Sequence, residues 1–99
     1  MITVDAFRRS IVDASPSGDL TPALKALWWV RKGDWAQAHR LVQQHESESD
    51  CDLVHAHLHR QEGDTMNASG WYRRAGRSLP SISLDEEWDA LVAELLARG

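Results

Sequence analysis

A single cysteine, Cys51, stands in the sequence, so no disulfide can close within the chain. That fits a reducing compartment, and the expected location is cytoplasmic. Long apolar runs are missing too. No stretch approaches the ~18 apolar residues of a membrane-spanning helix, and no membrane partner is expected. The first fourteen residues carry Asp5, Arg8, Arg9 and Asp13, and no apolar core of a secretory signal follows them. Basic charge is scarce: eleven Lys and Arg against fifteen Asp and Glu, a net charge of −4. A nucleic-acid binder shows a basic footprint. The runs Arg31–Lys32 and Arg73–Arg74–Arg77 are too short to form one, and nucleic acid is not an expected partner.

Against these absences, 42% of the residues are hydrophobic, which is enough for a folded domain. Five of the seven aromatics are Trp: Trp28, Trp29, Trp35, Trp71 and Trp88. That is a heavy supply of large rings for a small core. The 99 residues fit one domain, 1–99.

Strand patterns are poor throughout, and six helices are expected. The first covers Thr3 to Ala14, with Val4, Phe7 and Ile11 on one stripe. Ser15-Pro16-Ser17-Gly18 stops it. The second has Thr21 as N-cap and Pro22 at its first position. Ala23 to Val30 is apolar apart from Lys25, the mark of a central, mostly buried helix in which both Trp28 and Trp29 are expected inside. Gly33 is its left-handed stop. The third starts from Asp34, buries Trp35, Ala38, Leu41 and Val42, and fades into the acidic linker Glu46 to Asp50. The fourth spans Cys51 to Glu62, with Val54 and Leu58 as its apolar pair. The fifth starts from Asp64, carries Ala68, Trp71, Tyr72 and Ala75, and stops at Gly76. The last covers Leu84 to Ala97, opened by the capping box Ser83/Glu86. Its stripe is Leu84, Trp88, Leu91, Val92 and Leu95.

Two segments align without gaps. Leu27–His45 and His57–Ala75 share Gly33/Gly63, Asp34/Asp64 and Ala38/Ala68, with Leu41/Trp71 and Val42/Tyr72 also in step. The second segment carries Gly63, Ala68, Tyr72, Ala75 and Pro80, and this resembles a tetratricopeptide repeat. The resemblance implies an all-α fold, a tetratricopeptide-like array of two antiparallel helical hairpins. These would span about 21–46 and 51–76, with flanking capping helices, the C-terminal one about 84–97. It also implies a close helix–helix approach at Ala38 and Ala68. The stretch Val54 to Asp64, with Asn67-Ala68 and Trp71 to Gly76, is similar as well to a set of small uncharacterised bacterial proteins; that likeness carries no activity.

Chemistry-bearing residues gather in the second hairpin. Cys51, His55 and His59 fall at i, i+4 and i+8, with Glu62 at i+11, all on about a quarter of a helix circumference. Two histidines four apart can chelate a divalent metal, and a carboxylate can add a third ligand. The zinc-protease pattern is absent, because Ala56 follows His55. The expectation is that His55 and His59 pack between helices, bonded to a neighbour such as Tyr72, with no metal and no cofactor. No catalytic residue is expected either. Cys51 lies in an acidic stretch that raises its pKa, and Ser69 has no triad around it. Arg73 and Arg74 could bind a carboxylate or phosphate.

The expected binding site is His55, His59, Glu62, Asp64, Trp71 and Arg74. There, polar residues stand where the first hairpin has apolar ones. By analogy with tetratricopeptide-like hairpins, the expected role is a non-catalytic module for a protein or peptide partner. The alternative is a small-ligand or metal-binding domain using the His-rich hairpin. Either a monomer or a homodimer suits two hairpins.

Overall fold

The computed structural model describes residues 2–98. Among these residues the chain is all-helical, with six α-helices and no strand. They are α1 (Val4–Arg9), α2 (Pro22–Lys32), α3 (Trp35–Gln43), α4 (Ser49–Gln61), α5 (Thr65–Arg74) and α6 (Leu84–Arg98). Helices α2 and α3 form one hairpin, and α4 and α5 a second. No helix of the described residues is long and apolar enough to cross a membrane.

The two hairpin turns are built alike. Gly33 and Gly63 take φ of 90° and 83°, the left-handed region that glycine enters without a Cβ clash. The amide of Gly33 donates to Val30 O and that of Asp34 to Trp29 O. Thirty residues on, Gly63 donates to Arg60 O and Asp64 to His59 O. Each aspartate then caps the next helix, Asp34 Oδ1 accepting from the Gln37 amide at 3.0 Å and Asp64 Oδ1 from the Asn67 amide at 3.3 Å. Ala38 and Ala68 are both fully buried, so a side chain no larger than a methyl sits at each of these places.

Two helix boundaries and the burial of one tryptophan differ from the sequence reading. The first helix leaves α geometry at Arg9 and tightens into a 3₁₀ turn, Ser10–Val12. There Ser10 Oγ donates to Phe7 O and accepts from Trp28 Nε1 at 3.0 Å. Helix α4 starts at Ser49 rather than Cys51, because Asp50 and Asp52 suit the first turn of a helix. Trp28 is fully buried, but its neighbour Trp29 is only half-buried and meets it edge to face, centroids 5.0 Å apart.

The largest difference is which helix is central. Helix α2 buries Ala23, Leu24, Ala26, Leu27 and Trp28. Helix α4 buries nine consecutive residues, Cys51 to His59, because α2, α3, α5 and α6 all pack around it. Its composition hides this, since four of the nine are Asp52, His55, His57 and His59. Helix α6 lies across α2 and α4 and also meets α1. Trp88 leads that packing, with its Nε1 donating to Leu27 O at 2.8 Å and its ring 5.8 Å from that of Phe7. Trp88, Leu91 and Leu95 are buried, as a capping helix requires.

Candidate functional site

Positions two apart on a helix point about 200° apart. The histidines of α4 therefore divide: His57 faces α6, while His55 and His59 face away from it.

On the α6 side, the buried Glu87 accepts from His57 Nδ1 at 2.7 Å, from Arg60 Nη1 at 2.9 Å and from the Tyr72 hydroxyl. Burial alone would raise the Glu87 carboxyl pKa, but the donors His57, Tyr72 and Arg60 outweigh it and hold the group below its usual value. Burial, and then the Glu87 carboxylate, push the Tyr72 phenol well up. Every member of this network has a partner, as a buried polar cluster needs. Tyr72 thus pairs with Glu87 rather than with His55 or His59, contrary to the sequence reading.

On the other side the histidines meet one another. His39 comes in from α3, and its Nε2 lies 3.1 Å from His55 Nε2. The His55 and His59 rings stack at 5.0 Å, and His39 and His59 meet edge to face at 5.4 Å. One ring nitrogen from each of His39, His55 and His59 lies within 4.8 Å of the other two. Glu62 Oε1 is 2.6 Å from His59 Nδ1 and fixes that ring through it. Two tryptophans wall the cluster: Trp35 stacks on His39 at 4.7 Å and Trp71 on His55 at 3.8 Å. The Trp35 indole N–H donates to Leu58 O at 3.0 Å, which locks its ring in place.

Burial lowers the His55 pKa to about 4, helped by His39, His59 and Arg74. It lowers that of His39 as well, with His59 adding to the effect. Both imidazoles are therefore neutral at neutral pH, the form that ligates metal. His55 Nδ1 is buried with no hydrogen-bond partner, and so is Asp52 Oδ1. The Asp52 carboxyl is pushed up by burial, against the pull of Arg74 Nε 3.9 Å from its Oδ2.

Of the six residues expected at the site, five assemble. His55 and His59 are buried, Glu62 holds His59, Trp71 covers His55, and the Arg74 guanidinium lies 4.6 Å over the Trp71 ring. Asp64 is foremost the cap of α5, although its carboxylate also falls within 4.8 Å of ligand atoms of His59 and Glu62. Sequence reasoning missed His39. Its only signal is its place beside the buried Ala38. It missed His57 and Glu87 too, since Glu87 reads as one more acid in a helix's first turn. Cys51 is buried in the first turn of α4, and its thiol is pushed up to about 12 by burial first and by Glu48, Asp50 and Asp52 after it.

No protein-family model, no curated protein and no solved structure matches this chain.

Proposed function

We propose that this protein binds a divalent transition-metal ion, such as zinc, through His39, His55 and His59. The observation that carries this reading is the convergence of three imidazole nitrogens from two helices within 4.8 Å. Two nitrogens on a tetrahedral zinc, each 2.0–2.1 Å from the ion, stand about 3.3 Å apart. The His39–His55 pair at 3.1 Å is already at that spacing.

His57 offers the internal contrast. Where this fold uses a histidine for packing, it supplies a carboxylate, a guanidinium and a phenol around it. His55 Nε2 has only another imidazole for a partner. Polar groups so buried cost stability unless something pairs them, and a bound ion would engage all three rings at once. Glu62 would play the outer carboxylate that orients a metal-ligating imidazole and raises its basicity. Imidazole donors suit zinc, copper and nickel over magnesium or calcium.

The peptide-binding role that hairpins imply by analogy has the half-buried Trp71 with Arg74 over it in its support. The metal reading is preferred because it uses the buried groups, which a peptide at the surface would leave unexplained. A reducing cytoplasm suits a free, buried Cys51 under either reading.

The test is calorimetric titration of untagged, metal-stripped protein with Zn²⁺. One ion per chain is expected, with affinity falling by more than about tenfold in His39→Ala while helicity is retained. No binding by the parent, or equal binding by His39→Ala, would refute the reading.

A further inference from the structure

Resting on the metal reading, we infer that the bound ion keeps one coordination position open and fills it with an exchangeable small anion from solution. Among the described residues, no fourth His, Cys, Asp or Glu joins His39, His55 and His59 within 4.8 Å. Structural zinc sites close with four protein ligands, whereas three ligands leave a place for water or another small molecule. The nearest carboxylate, Glu62, is already engaged at 2.6 Å by His59 Nδ1. Cys51 stands a full turn before His55 and outside the triplet.

Access and charge favour an anion. His39 is only half-buried, so the cluster reaches solvent at that ring. Imidazole ligates a metal in its neutral form, so such ligands cancel none of the ion's double charge. The indoles of Trp35 and Trp71 stack on His39 and His55 and shield one face of each ring from water. Attraction between opposite charges grows as water is excluded. The chemistry that fits is a compact monodentate donor, such as hydroxide, a carboxylate oxygen or azide.

The experiment loads the full chain with Co²⁺, whose visible bands report its coordination, and titrates azide into the parent and into Glu62→Gln. Saturable band changes are expected in both proteins. Bands that ignore azide in the parent but respond in Glu62→Gln would show Glu62 filling the fourth position, and would overturn the inference while leaving the metal site standing. Bands that ignore azide in both proteins would show a closed site and overturn it as well. If cobalt gives no bands above those of the free aqueous ion, the metal reading itself falls, and this inference with it.

Discussion

His39 on α3 and His55 on α4 face one another with their Nε2 atoms 3.1 Å apart, so in the metal-free protein one ring donates its proton to the other. A shared proton needs at least one neutral ring, and burial lowers the pKa of both. Two elements from different hairpins are thereby joined through groups that lose the bond when both are protonated.

Acid should therefore loosen this junction in metal-free protein. The His55 pKa falls from 6.5 when exposed to about 4 in the fold. Its neutral form is favoured by folding, so its contribution is fully present above pH 6.5 and is lost as pH falls from there towards 4. Urea midpoints at several pH values should decline across that window. His55→Leu should flatten the decline, and an unchanged slope in that variant would place the titrating group elsewhere.

The Glu87 network should behave in the opposite way to substitution by an apolar isostere of the whole cluster. Glu87→Ala leaves the buried His57 and the half-buried Arg60 without their carboxylate, and should cost about 3–5 kcal/mol by urea unfolding. Because folding depresses the Glu87 pKa, its stabilisation is present above the ordinary value of 4.5 and is lost as pH falls through the folded value. A loss under ~1 kcal/mol would show that Tyr72, His57 and Arg60 find other partners.

Ala38 and Ala68 each lie fully buried in their own hairpin. Ala38→Leu and Ala68→Leu should each overpack that hairpin and cost roughly 1–3 kcal/mol. Thermal melts check this, and two variants as stable as the parent would contradict the packing described here.

Cys51 is 2% exposed, and its thiol is pushed up to about 12. Thiolate is the reactive form, so an aromatic disulfide reagent at pH 8 should label the native protein very slowly and the urea-unfolded protein at once. Labelling of native protein at the rate of a free thiol would mean that α4 frays at its first turn.

Much of the architecture is legible because it depends on neighbours along the chain. Thr21-Pro22, Gly33-Asp34, Gly63-Asp64 and Ser83/Glu86 mark helix ends through local hydrogen bonds and backbone conformation, and they do so here. Apolar periodicity likewise marks the buried stripe of α6. Helix α1 is less legible, since at its switch Ser10 bonds the Trp28 indole eighteen residues away.

The sequence by itself determined that the chain is helical, where five of its six α-helices begin and end to within about two residues, and that the second hairpin concentrates polar groups. Only the tertiary structure decided that α4 is the central helix, that Glu87 takes the Tyr72 hydroxyl, and that His39 completes a triplet with His55 and His59. The physical reason is sequence separation. A helix start needs partners within four residues, whereas His39 and His55 are sixteen apart and His57 and Glu87 thirty. Such pairs meet only once helices pack, and no local pattern in α3 or α6 encodes which ring or carboxylate its neighbour will present.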